Sequence, residues 1–419
     1  MADKPESERF WRIAGAGVGF QGGSAAVDSA TIIAGFVHAV TGSSIAVGLA
    51  SAILRFGWLF PQLFVGYLAE GRRRRMPFYV VGAFGRAACL ALLAAAVAAL
   101  GGASPTVLAV VFFVLWTGYA FISGIVAVPY NDIVGRSIPS GRRSRLLAWR
   151  FFGGGLLGLA VAAAAHRLIG HLPFVEAHAA IFAIGAALML ASSVLFVSAG
   201  ETDAPAPREP RRGFAEFLLG GLRVYREDAR FRLFLRSQWL GGAALMALPF
   251  YVIQARAGGL ALLDIPLLLG AQTAGALASN PLWGRWGDRR GKQSLLEGVA
   301  VLRLIPPLAV LIMALTWDRL GVATLPAFAA LFFLLGALVN GTTIAMLGYL
   351  MEISPDDRRP AYSGYFNAFV APSSLLPIVG GVIADAVSLN GVFVVAVVAG
   401  ALQYLTIRRL GQPAGDSEE

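Results

Sequence analysis

The sequence predicts an all-α membrane protein, with twelve transmembrane helices arranged as two pseudo-symmetric six-helix bundles. Three observations carry this. Of 419 residues, 57% are hydrophobic and only 14% charged, where a soluble domain has roughly 25% charged residues. Apolar runs of about 20 residues, each able to cross a ~30 Å hydrocarbon core, recur from Trp11 to Leu410. Finally, the second half of the chain repeats features of the first at an almost constant offset.

The first six spans are read at 12–40, 44–70, 76–100, 104–132, 144–169 and 176–199. The second six are read at 232–256, 262–285, 292–316, 322–352, 361–386 and 389–408. This divides the chain into an N-terminal bundle (1–199), a polar linker (200–231) and a C-terminal bundle (232–419). Within the linker, Phe214, Phe217, Leu218, Gly221, Leu222 and Tyr225 fall on one helical face, with Arg223 and Arg226 on the polar side. That pattern fits a helix lying on a membrane surface.

The net charge of +10 does not indicate a nucleic-acid partner, because the charges lie in short loops between apolar runs. Arg72 to Arg75, Arg142, Arg143, Arg145, the 208–232 cluster, Arg285 to Lys292, Arg358 and Arg359 all fall on one side, with both termini. The opposite loops hold little beyond Arg167, Arg256 and Arg319. Basic loops stay cytoplasmic, so a multi-pass protein of the cell inner membrane with both termini inside is expected. The N-terminus shows no cleavable leader pattern. Cys89, the single cysteine, excludes an intrachain disulfide.

Glu70 follows Gly66 by four residues and precedes four arginines; Asp288 follows Gly284 by four and precedes Arg289, Arg290, Gly291 and Lys292. Arg86 and Arg303, Gln21 and Gln238, and Pro139 and Pro355 match at the same offset within a residue. A sequence duplication of this kind places a binding site between two bundles.

The glycine and acidic residue in a basic loop between the second and third helices of each half resemble the loop signature of the major facilitator superfamily. The second copy fits through Gly284, Asp288, Arg289, Gly291 and Lys292, whereas the first has Glu70, Gly71 and Arg73 at variant positions. The resemblance implies alternating access about a central site, with the first, fourth, seventh and tenth helices lining it. On that basis Glu70, Asp288, Arg289, Arg142 and Arg358 are candidates for a cytoplasmic gate, where a carboxylate can pair with arginines and a helix N-terminus. A tight solvated basic turn is the alternative.

Ionisable groups inside spans mark a pathway or a buried pair. Asp28 is 14 residues before Gly42 and Arg55 is 13 after it. At about 1.5 Å per residue the two reach the same depth on consecutive helices, so an ion pair is expected. Functionally, Asp28 would carry a proton and Arg55 would meet an anionic group; otherwise the pair is structural. Arg86 and Arg303 read as structural brackets, and Arg150 as a residue able to snorkel. Gln21, Gln238, Asn340, Trp116, Tyr119 and Trp239 are further candidate solute contacts, with interhelical bonding and packing as the alternatives. His38, His166, His171 and His178 read as solvated loop residues.

Neither a metal-ligand cluster, a catalytic triad nor a phosphate-binding glycine loop is present in the sequence. The expected function is therefore not enzymatic and needs no cofactor. It is secondary active, proton-coupled transport of a small organic solute, an anion among the candidates. Its partners would be solute, protons and the lipid bilayer, with no nucleic acid, and the chain would act as a monomer. The alternatives are a lipid or lysolipid flippase on the same fold, or a non-transport assembly or sensor protein.

Overall fold

The computed structural model describes residues 6–70, 74–102, 104–201, 213–316, 321–355 and 359–410. Among them the regular structure is entirely helical. Ten segments are long and apolar enough to cross a membrane. One of them, Leu262–Ala314, is 53 residues long and is interrupted at Gly291, whose φ of 83° and ψ of 162° are non-helical.

The described chain starts with α1 (Glu6–Ala25) and α2 (Ile32–Thr41), two helices separated by a turn. No proline forces this break. Asp28, Ser29 and Thr31 occupy it, and short polar side chains of this kind compete for backbone groups and favour caps over helix interiors. Gly42 then ends α2 in the left-handed region (φ 65°), with its N–H donating to the His38 carbonyl. The long α3 (Ser44–Glu70), α4 (Met76–Ala99), α5 (Pro105–Ser137), α6 (Ser140–His171) and α7 (Phe174–Ala199) follow. Ser104 caps α5 by accepting from the Val107 N–H, with Pro105 at the first helical position.

The expected surface helix is α8 (Phe214–Glu227). It leads into α9 (Ala229–Leu245), whose N-cap Asp228 accepts from the Phe231 N–H at 2.9 Å and from the Tyr362 hydroxyl at 3.0 Å. A second break, at 246–249, separates α9 from α10 (Phe250–Ala257); here Pro249 supplies the cause, since it lacks an N–H and disfavours helix before it. The remaining helices are α11 (Ile265–Leu302), α12 (Ile305–Ala314), α13 (Thr324–Ile353), α14 (Arg359–Val370), α15 (Leu376–Ala386) and α16 (Leu389–Leu410).

Helices α1 to α7 pack mainly on one another, as do α9 to α16. The two sets meet along two seams, α6 on α11 and α3 on α15. Small residues permit the second seam. A Cβ on Gly48 would lie 2.1 Å from the Pro377 carbonyl oxygen, and one on Gly381 would lie 2.6 Å from Ile45 Cα. Backbones in contact at this range have no room for a side chain.

Candidate functional site

A cavity of about 210 Å³ sits on the α6–α11 seam, and both sets of helices line it. From the first set come Gln21, Ser24, Asp28 and Phe151; from the second come Gln272, Thr273, Asn280 and Asn340. Position along each helix explains the grouping. Gln21 and Ser24 are three apart on one face of α1, with Asp28 following in the break after it, and Gln272, Ala276 and Asn280 are four apart on one face of α11. Asn340 Nδ2 donates to the Ala276 carbonyl (3.0 Å) and to Asn280 Oδ1 (2.9 Å), fixing the two amides side by side. The lining offers amide and hydroxyl groups, which both donate and accept. Asp28 is its only charged residue.

Asp28 lies in the α1–α2 break. Its Oδ1 accepts from the Ala30 N–H (3.1 Å) and the Thr31 hydroxyl (2.8 Å), and its carbonyl accepts from the Ile33 N–H (3.0 Å). A break that leaves a helix N-terminus beside a cavity is the kind of element on which carriers place binding groups.

The expected Asp28–Arg55 ion pair does not form. No contact within 4 Å joins them, although each lies in the other's electrostatic field, and Arg303 feels Arg55 as well. Equal depth on adjacent helices was the basis of the expectation. The α1–α2 break supplies local donors that take the carboxylate instead, a feature that a continuous-helix calculation omits.

Of the candidate solute contacts, Gln21 and Asn340 line the cavity with Asp28, and the others do not. Trp116 is fully buried, its Nε1 donating to the Ala50 carbonyl at 2.8 Å. Tyr119 stacks on it with ring centroids 5.1 Å apart. Gln238 is buried and donates to the Ser237 hydroxyl at 3.3 Å. Trp239, a step of about 100° around the same helix, is 40% exposed and bonds the Phe369 carbonyl at 3.0 Å, on a different groove. Sequence reasoning missed Ser24, Thr273 and Asn280. The available signal was their helical register with Gln21 and Asn340.

The buried arginines behave as brackets. Arg303 donates to Gln403 Oε1 and Thr342 Oγ1, both at 2.6 Å. Arg86 lies 4.5 Å above the Phe20 ring. Arg150 turns inward rather than snorkelling, bonding the Tyr130 hydroxyl at 2.9 Å. His178 is likewise not a solvated loop residue: it is 1% exposed, against the Phe36 and Phe174 rings.

At the arginine-rich end, described ion pairs stay within their own set of helices. Arg142 pairs with Glu6 at 3.0 Å, and Asp288 with Lys292 at 3.1 Å. Arg289 is exposed and does not pair with Asp288. Glu70 closes α3, but its side chain lies outside the described residues, as does Arg358. A cluster not foreseen joins Asp132 to Arg75 (3.1 Å) and to Arg136, while Glu201 accepts from the Arg75 and Met76 N–H groups at 2.6 and 2.8 Å.

At the other end the sets are tied together. Asp385, at the end of α15, accepts from the Ser44 and Ile45 N–H groups, each at 3.1 Å, and from the Ser43 hydroxyl at 3.2 Å. His166 Nδ1 donates to the Leu263 carbonyl at 2.8 Å. The hydrogen bonds described between α1–α7 and α9–α16, those of Asp385 and His166, are at this end.

The sequence of residues 255–415 matches the Major Facilitator Superfamily family model. The resemblance read from the loop signature holds. The chain also shares its fold with solved carriers. A mutant of the nucleoside transporter NupG is similar at 11% identity over 96% of this chain and 100% of that one, with a TM-score of 0.73. The POT family transporter PepTSo is similar at 12% identity, 97% and 99% coverage and a TM-score of 0.69. A bacterial homologue of the iron transporter ferroportin, in the outward-facing state, is similar at 12% identity, 97% and 99% coverage and a TM-score of 0.61. No curated protein matches in sequence. These likenesses are ones of fold, and identities this low say nothing of what the cavity holds.

Proposed function

We propose that this protein is a proton-coupled secondary transporter that moves a small, hydrogen-bonding organic solute by alternating access. The observation that carries the proposal is the cavity shared by both sets of helices, with amides from each and Asp28 as its one charge. Solved relatives in fold are named for nucleosides, peptides and iron, so the lining rather than the fold must choose the cargo. An anion finds no cation in this lining, which favours an uncharged polar solute over the anionic candidate. A volume of about 210 Å³ favours a small solute over a lipid.

In this reading the chain has twelve spans, with α1–α2 as one and the Leu262–Ala314 segment as two. The two bundles, 1–199 and 232–419, are joined by the linker 200–231 and rock about the cavity. Breaks at 26–31 and 246–249, in the first helix of each bundle, support the duplication. The arginine-rich end is cytoplasmic, so the Asp385 contacts seal the outer side, and the structure is the inward-facing state.

Asp28 couples the proton to this motion. Its ionised carboxylate is stabilised by the N–H and hydroxyl donors opening α2. A proton removes that negative charge and weakens the hold between α1 and α2, so protonation and solute occupancy each bias the break. The test uses protein reconstituted in vesicles with a luminal pH dye. Solutes that raise the melting temperature of the purified protein are added outside. The proposal expects solute-dependent proton movement that is lost in Asp28→Asn, while solute binding persists. Solute uptake with no proton movement in the wild type would remove the coupling, and binding of lipids alone would favour a flippase.

A further inference from the structure

A second groove, of about 680 Å³, opens on the outside of α9 to α16, away from the seam cavity. Trp239, Leu240, Phe369 and Pro372 form its apolar wall, and Arg236 and Arg409 stand at its edge. Both arginines are exposed. Among the described residues neither has a carboxylate partner, and no acidic residue lines the groove. Arg409 is the penultimate residue of α16 and Arg236 lies two turns into α9. Both therefore sit toward the basic end of the bundle, at the depth of a leaflet surface.

The amphipathic α8 borders the groove through Tyr225, whose ring lies 5.4 Å from that of Phe369. Gly220 and Gly221 bring this helix onto Tyr365 of α14. Leu219 and Leu222 project outward from α8, 66% and 39% exposed. An apolar trough edged by two arginines that have no carboxylate partner among the described residues, beside a helix suited to a membrane surface, has the chemistry to bind a phospholipid with an anionic headgroup. A zwitterionic lipid offers a phosphate but brings its own cation, which the arginines repel.

We propose that this groove binds one anionic phospholipid of the basic-side leaflet. Its phosphate lies between Arg236 and Arg409, and an acyl chain runs along Trp239 and Phe369. The bound lipid bridges α9, α14 and α16 on the face where α8 rests. This site is independent of the solute and of Asp28.

The full-length protein is purified in mild detergent with phosphatidylglycerol or phosphatidylcholine of matched chains, and retained lipid is counted by native mass spectrometry. The wild type is expected to retain phosphatidylglycerol roughly 30-fold more strongly, about the value of two arginines near a leaflet surface. Arg236→Gln with Arg409→Gln is expected to abolish the preference, and Arg236→Lys with Arg409→Lys to keep most of it. Equal retention of the two lipids by the wild type overturns the proposal, with no need of any variant. So does an undiminished preference in the glutamine variant. In a separate arm, inorganic phosphate is added to delipidated protein. A rise in melting temperature matching that given by phosphatidylglycerol would show a free-anion site and also overturn it.

Discussion

The carboxylate of Asp385 caps a helix from the opposite set of helices, taking the Ser44 and Ile45 N–H groups that open α3. Those N–H groups have no partner within their own helix, so the contact satisfies α3 and closes one end of the seam together. Charge-assisted bonds of this type are worth about 1.5–3 kcal/mol. We expect Asp385→Ala to raise amide hydrogen exchange at Ser44 and Ile45 by roughly tenfold or more. Unchanged exchange there would show that the seal does not depend on this carboxylate.

The same seal depends on Gly48, where an added methyl would meet the Pro377 carbonyl oxygen. Gly48→Ala is predicted to hold the α3–α15 seam apart, abolishing transport while the protein still folds. Retention of more than half the wild-type transport rate would rule this out.

Within the second set of helices the tightest approach is α11 against α13. A Cβ on Gly336 would lie 1.8 Å from the Gln272 carbonyl oxygen, and one on Gly275 would lie 1.9 Å from that of Phe333. Either change to alanine is predicted to destabilise the protein by about 1–3 kcal/mol, read as a lower melting temperature in detergent. Gly135→Ala, where a Cβ meets nothing within 4 Å, serves as a neutral control.

Arg303 joins three helices through Gln403 and Thr342. Arg303→Met strands the buried Gln403 side-chain oxygen, at about 1–3 kcal/mol, while the half-buried Thr342 hydroxyl keeps its bond to the Leu338 carbonyl. The variant should lower the melting temperature with little change in solute affinity among the molecules that survive. A large loss of affinity with unaltered stability would instead place Arg303 at the solute.

Asn340 and Asn280 hold each other at the cavity wall. Asn340→Ala is expected to weaken solute binding roughly tenfold, and Trp116→Phe not to, because Trp116 faces the Ala50 carbonyl. Calorimetric titration of the two variants distinguishes them; equal losses would mean that the cavity has been misplaced.

Much of this architecture was legible in the sequence because lipid imposes long apolar runs, and because the two halves of the sequence carry matching residues. Arg303, read as a bracket, is one. Gln21 and Asn340 were legible as polar groups on lining helices. What escaped prediction was geometry that depends on departures from ideal helices. The α1–α2 break gives Asp28 local partners and removes the ion pair with Arg55. One step around α9 takes Trp239 away from the seam. Asp385, a single acid near a span's end, gave no pattern to read; its role exists only where α15 meets α3.

The central claim is that the seam cavity opens to one side of the membrane at a time. Ser24→Cys in a Cys89→Ser background puts the only thiol on the cavity wall, and a membrane-impermeant maleimide is applied to either face of sealed vesicles. Labelling is expected only from the arginine-rich side at rest, shifting to the opposite side when Asp385→Asn is added. Equal labelling from both faces of the resting protein would contradict the account.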